Sequence, residues 1–160
     1  MESSDRGLKI GTIAPNFSVT NISDENLFSL HDEAKKFRGV LINFIRGNFW
    51  IYWNKYFKRL KKNLEKFNEL GIKLVAIASD TPLELKKMSK KYDMVFIADL
   101  DTKKIIRAYD TEKVEATFKD LHPLTYLLNS EAEIVWKYIG TKKVRPSNEE
   151  IFTAITKFLW

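Results

Sequence analysis

The chain has 160 residues, 44% of them hydrophobic and 30% charged, which excludes a disordered protein and predicts one folded domain over residues 1–160. Its formal net charge is +6, but 21 acidic residues are mixed among 27 basic ones, so we expect a solvated surface rather than a polyanion-binding one. Cysteine is absent, which excludes disulfides, thiolate nucleophiles and thiolate metal sites.

Composition also bears on source and location. Glutamine and cysteine are both missing, and lysine, glutamate and isoleucine are frequent, which favours a thermophilic source. Residues 1–7 are polar and form no apolar signal core. No segment approaches the about 20 apolar residues that cross a bilayer. We therefore expect a cytoplasmic protein without a membrane partner.

The first half of the chain predicts two short strands over residues 13–19 and 26–30 and a short helix over 32–37. Residues 40–45 are nearly all apolar and half of them are β-branched, as in a buried parallel strand. A long helix is predicted over residues 49–70, ending at Gly71, because apolar side chains recur every three or four positions. This stripe comprises Trp53, Phe57, Leu60, Leu64, Phe67 and Leu70.

The second half of the chain alternates between strand-like and helix-like patterns. Residues 72–78 predict a buried strand, 82–92 a helix, 94–98 a strand and 102–109 a short helix. Residues 124–128 and 133–139 predict a hairpin, and Ser147 with Glu150 predicts a capping box at the start of a last helix. This order predicts an α/β fold with a mixed sheet, because crossover helices join parallel strands and the hairpin adds antiparallel ones.

Several short motifs carry a family resemblance. Residues 14–17 (Ala-Pro-Asn-Phe) resemble the opening A-P-x-F of the alkyl hydroperoxide reductase and thiol-specific antioxidant family. Residues 41–47 resemble its next strand and the R-G that follows in one peroxiredoxin-like branch. Weaker matches follow at residues 77–80, 107–109 and 123–128, so the resemblance spans residues 10–160. It implies a thioredoxin-like fold, with a central mixed sheet flanked by helices on both faces.

The resemblance also locates a degenerate active site. In that branch the next residues read x-W-C-P-Y-C-N, whereas residues 48–54 of this chain read N-F-W-I-Y-W-N. Trp50 and Trp53 thus stand where the two cysteines would be, and Pro123 corresponds to the cis-proline of a thioredoxin-like site. The family's thiolate is stabilised by a helix N-terminus, and an indole cannot replace it as a nucleophile. We therefore predict no catalytic residue, no cofactor and no metal.

The same region offers four residues that could bind a ligand. Arg46, Phe49 and Tyr52 lie around the predicted helix start, and His122 precedes Pro123, which the resemblance places across the cleft from it. Trp50 and Trp53 either pack against aromatic neighbours such as Phe49, Tyr52 and Tyr56, which is the favoured interpretation, or form an exposed binding face. His122 and His31 are each isolated, which favours surface or structural roles.

Three functions stay open. The first is a peroxiredoxin-like pseudoenzyme that binds a partner, such as a second copy of itself or an active homologue. The second is an antioxidant oxidoreductase that reduces peroxides, as the resemblance implies. The third is nucleic-acid binding by the basic run over residues 55–62, for which a solvated face is the favoured interpretation because its aromatics fall on the core stripe.

Overall fold

A small antiparallel hairpin and a five-stranded mixed sheet organise the chain. The computed structural model describes residues 7–22, 24–45, 50–78, 81–99, 104–109, 123–141 and 143–160, with only the backbone described for Trp50 and Arg107. The strands are β1 (Ser18–Thr20), β2 (Leu27–Ser29), β3 (Gly39–Ile45), β4 (Ile72–Ala78), β5 (Val95–Ala98), β6 (Leu124–Asn129) and β7 (Ile134–Ile139). The helices are α1 (Leu30–Lys36), α2 (Trp50–Lys62), α3 (Leu64–Glu69), α4 (Pro82–Tyr92), α5 (Lys104–Ala108) and α6 (Asn148–Leu159).

The large sheet has the strand order β5-β4-β3-β6-β7. β4 pairs in parallel with both β3 and β5, whereas β6 is antiparallel to β3 and β7 is antiparallel to β6. β1 pairs antiparallel with β2 in a separate two-stranded sheet. The predicted mixed sheet and its terminal hairpin are therefore confirmed.

β3 lies at the centre of the sheet and all seven of its residues are buried. Alternate side chains point to opposite faces of a strand. Val40, Ile42 and Phe44 belong to a core covered by α1 and α5, and Leu41 and Ile45 belong to a core covered by α2, α3, α4 and α6. The molecule thus has helices on both faces of one sheet, as predicted.

The predicted helix over residues 49–70 is wrong in one respect, because it is two helices. The chain turns at Asn63, whose backbone has φ −113° and ψ 18° and whose Nδ2 donates to the Arg59 carbonyl at 3.3 Å. Asparagine competes in this way with the helical hydrogen bonds of the backbone. The turn lets Phe67 on α3 pack against Phe152 on α6, with ring centroids 4.7 Å apart.

Local capping determines where the later helices begin. Ser147 Oγ accepts a hydrogen bond from Glu150 N at 3.1 Å, and Glu150 Oε1 accepts one from Ser147 N at 3.1 Å, which confirms the capping box. Thr81 Oγ1 accepts from Glu84 N at 3.3 Å and starts α4. In the described part of the chain, every helix is too short or too polar to span a membrane.

Candidate functional site

The topology places the start of α2 and the start of β6 at the same end of the sheet. α2 begins at Trp50, shortly after β3 ends at Ile45. The pairing of Phe44 with Leu124 puts Pro123, which precedes β6, next to that same end of β3. The degenerate positions predicted from the resemblance therefore lie at one end of the sheet, where β3 ends and β6 begins.

Trp53 is fully buried, with none of its surface exposed. Its ring stacks on Phe57, with centroids 5.5 Å apart and planes at 21°, and meets Tyr56 edge-on at 5.7 Å. A buried tryptophan removes on the order of 150–250 Å² from water. The side chain that the resemblance matches to the second cysteine is thus part of the hydrophobic core.

Arg145 covers the Trp53 ring. Its guanidinium carbon lies 4.1 Å from the ring centroid, a cation–π geometry. Its Nη1 donates to the carbonyls of Thr141 at 2.6 Å and Val144 at 3.1 Å. Burial lowers the pKa of Arg145 to about 10, which still leaves the side chain charged at neutral pH. Arg145 therefore holds the segment before α6 against α2.

A buried hydrogen-bond network lies one turn further along α2. Tyr56 Oη donates to Asn43 Oδ1 at 2.7 Å, and Thr125 Oγ1 donates to the same oxygen at 3.0 Å. Asn43 Nδ2 donates to the Val75 carbonyl at 3.3 Å, so the network joins α2 to β3, β4 and β6.

Burial raises the pKa of Tyr56 well above its ordinary value, and this outweighs the opposing effects of Thr125, Arg59 and Arg145. The phenol is therefore neutral at physiological pH and cannot act as an anionic nucleophile in place of a thiolate.

The other predicted site residues have varied outcomes. Arg46, Phe49, His122 and the Trp50 side chain lie outside the described residues, as does the peptide bond between His122 and Pro123. Tyr52 is half-buried on α2. Pro123 is buried, and its carbonyl accepts from Gly140 N at 2.8 Å.

His31 lies away from this site. Its Nε2 is 2.6 Å from the Ala14 carbonyl oxygen, so it joins α1 to the segment that precedes β1.

Sequence reasoning missed Asn43, Thr125 and Arg145. Asn43 gave a usable signal, because an amide in an otherwise apolar buried strand requires hydrogen-bond partners. Arg145 gave none, because a lone arginine in a loop does not reveal which ring it will cover. Its role depends on how the segment before α6 folds back over α2.

A cavity of about 310 Å³ lies at the opposite end of the sheet. Its lining includes Lys73 at the start of β4, Val95 at the start of β5 and Asp93 after α4. α2 begins beyond the carboxyl ends of the parallel strands, whereas this cavity lies at their amino ends. It therefore does not belong to the site built around Trp53.

The mixed sheet with helices on both faces defines a thioredoxin-like fold of the peroxiredoxin type. The chain belongs to the AhpC/TSA family, whose family model matches residues 10–137. The absence of cysteine from all 160 residues is what separates it from thiol-using proteins of this class.

Solved structures agree on the fold. The reduced 2-Cys peroxiredoxin of Plasmodium vivax is 17% identical, with 93% of this chain and 84% of that one covered and a TM-score of 0.75. A yeast mitochondrial 1-Cys peroxiredoxin is 13% identical, with 93% and 75% covered and a TM-score of 0.77. A conserved protein of Geobacillus kaustophilus is 21% identical, with 97% and 85% covered and a TM-score of 0.67. No curated protein matches the sequence significantly.

Proposed function

We propose that this chain is a non-catalytic member of its family, a pseudoenzyme that acts by binding a partner rather than by turning over a peroxide or a disulfide. The observation that carries the proposal is Trp53, a fully buried indole at a position where the resemblance places a reactive cysteine. The chain has no cysteine elsewhere that could take over.

The chemistry of the family requires sulfur. A thiolate attacks the peroxide oxygen or the disulfide sulfur, is oxidised, and is restored by a second thiol. An indole has one N–H donor, no acceptor and no comparable ionisation. Tyr56, whose ring meets that of Trp53 edge-on, is buried and holds its proton, so it supports no alternative nucleophile.

Family membership is the observation that favours the alternative, an antioxidant oxidoreductase. That activity would need a route without a thiol, such as a cofactor held near Trp50 and Pro123. One assay separates the two candidates because it measures turnover whatever the mechanism.

The test measures hydrogen peroxide consumption with dithiothreitol or thioredoxin as reductant, beside a thiol-active peroxiredoxin at equal concentration. We expect this chain to match the reaction without protein, while the active peroxiredoxin consumes peroxide rapidly. Reproducible turnover above that background would overturn the proposal.

A further inference from the structure

The strongest charge imbalance in the fold lies on α2 and α4. These two helices carry nine of the 27 basic residues and one of the 21 acidic residues, so the rest of the chain has a small acidic excess. The basic residues are Lys55, Lys58, Arg59, Lys61, Lys62, Lys86, Lys87, Lys90 and Lys91. We call the surface that they form the α2–α4 basic face.

The two helices lie side by side on the same face of the sheet. Tyr92 Oη donates to Asn54 Oδ1 at 2.8 Å, and Lys61 Nζ donates to the Lys91 carbonyl at 2.7 Å. The Phe57 and Tyr92 rings are 5.7 Å apart beneath them. The fold thus joins the basic run of α2 to a second run that is distant in sequence, which the sequence pattern alone did not suggest.

The nine cations are all exposed, whereas the apolar sides of the helices face the core. The single carboxylate, Glu84, lies 3.5 Å from Lys87 at the edge of the row. Lys55 and Lys62 are about 10 Å apart along the axis of α2, and packed helices lie about 8–10 Å apart. The face is therefore two adjacent rows of positive charge.

We infer that the α2–α4 basic face binds the phosphate backbone of a nucleic acid duplex. This inference deepens the proposed function and rests on it, because it names the surface and the class of partner. Rows of cations that neutralise successive phosphates release counterions, and this supplies affinity without reading sequence.

The aromatic and apolar residues of the two helices distinguish a duplex from a single strand, a protein or a membrane as the partner. Among the described side chains, the rings that lie between the lysines are those of Tyr56, Phe57 and Tyr92, and all three are buried, so none of them can stack on an unpaired base or anchor a protein partner. The half-buried Tyr52 lies ahead of the lysines, in the first turn of α2. The exposed apolar residues of the two helices, Ile51 and Leu83, lie in their first turns ahead of the lysines. A bilayer would need apolar side chains among the cations to insert, so a duplex fits best.

The experiment is a fluorescence anisotropy titration of a labelled 20-base-pair DNA duplex at 50 and 200 mM KCl. With about five phosphates contacted, we expect the affinity to fall several hundredfold between these salt concentrations. A second duplex of unrelated sequence should bind within about twofold of the first, because phosphates carry no sequence information.

Two variants test the face, one on each helix. Lys55→Gln/Lys58→Gln and Lys86→Gln/Lys90→Gln should each weaken binding at least about fivefold and reduce the salt slope by nearly two. The matched control is Lys35→Gln/Lys104→Gln, which removes the same charge from exposed lysines on α1 and α5, across the sheet. We expect it to keep the wild-type slope.

Several results would overturn the inference: no binding at 50 mM KCl, equal losses in the control, or an unchanged slope in either face variant. Competition by polyglutamate as strong as by duplex would indicate an acidic protein instead. Binding to phosphatidylserine vesicles without duplex binding would indicate a membrane. If the duplex does not bind and peroxide consumption stays at background, the non-catalytic proposal still holds. Peroxide turnover contradicts that proposal, whether or not the duplex binds.

Discussion

The guanidinium carbon of Arg145 lies 4.1 Å from the centroid of the Trp53 ring, and both residues are buried. A charged side chain is rarely withdrawn from water unless other groups satisfy it. In this case two backbone carbonyls accept hydrogen bonds from its Nη1, and the ring provides an electron-rich surface for the cation. The pair ties the segment before α6 to the first half of α2.

Trp53→Ala should destabilise the fold by about 3–5 kcal/mol, because it leaves a large cavity and removes the surface on which Arg145 rests. The matched control is Trp160→Ala, since Trp160 is 61% exposed and its loss should cost under about 1 kcal/mol. Urea unfolding followed by far-ultraviolet circular dichroism measures both. Equal effects of the two substitutions would contradict the core role of Trp53.

Asn43→Ala should cost about 2–4 kcal/mol, because it leaves the buried hydroxyls of Tyr56 and Thr125 without their shared acceptor. The triple variant Asn43→Val/Tyr56→Phe/Thr125→Val should recover most of that loss, since apolar groups of similar shape leave no stranded donor. The same unfolding measurement applies. A triple variant less stable than Asn43→Ala would show that the network itself stabilises the core.

Stability should fall with rising pH above about pH 10 through the buried tyrosines. Burial raises the pKa of Tyr56 and of Tyr109, so the folded chain holds protons that the unfolded chain releases near pH 10. This contribution to stability is complete below that pH and is lost above it. Arg145 acts in the opposite sense, because its folded pKa of about 10 lies below its ordinary value.

The variant Tyr56→Phe isolates one of these groups. Between pH 10 and 11 its unfolding free energy should fall less steeply than that of the wild type, by up to about 1.4 kcal/mol per pH unit. Absorbance at 295 nm should show one fewer tyrosine that ionises only on unfolding. An unchanged slope together with an unchanged titration would mean that the Tyr56 phenol ionises at its ordinary pH.

Trp50→Cys should create a thiol with a pKa below the usual value of about 8.5, because residue 50 is the first residue of α2 and free backbone N–H groups stabilise a thiolate there. Since the chain has no cysteine of its own, alkylation by iodoacetamide at different pH values reports this thiol alone. The control is Ser130→Cys in the exposed β6–β7 turn. Identical pH profiles would show that the helix start no longer activates sulfur.

Ser147→Ala should destabilise the protein by about 1 kcal/mol, because it removes the side-chain acceptor for Glu150 N at the start of α6. Thr153→Ala, at an exposed position within the same helix, is the control and should change stability by less than about 0.5 kcal/mol. Thermal unfolding of the two variants decides this. No difference between them would mean that tertiary contacts alone determine where α6 begins.

The sequence predicted most strands and helices because their signals are local. Residues 72–78 form β4 with the predicted bounds, since a β-branched apolar run behaves alike in any buried sheet. The break at Asn63 was missed because it depends on Phe67 meeting Phe152, which lies far along the chain. An apolar stripe indicates a helix face but not a turn that serves a distant contact.

The resemblance proposed a position for the candidate site, but the contacts of Trp53 could not be predicted from the sequence. The resemblance located Trp53, and the stripe favoured its burial, but the exposed alternative stayed open because a helix start is covered only if another segment folds over it. Arg145 belongs to that segment, and its position depends on β7 and α6. The same holds for the α2–α4 basic face, since only the sheet order brings the two lysine-rich helices together.

Tryptophan and cysteine codons differ by a single base, so mutation can easily introduce a sulfur atom at position 53. That substitution would destabilise the fold, because the smaller side chain would leave a cavity beside Phe57 and Arg145. A lineage carrying this indole would have to reshape the surrounding core before, or together with, any return of thiol chemistry. The packing around Trp53 therefore disfavours a return to cysteine at this position.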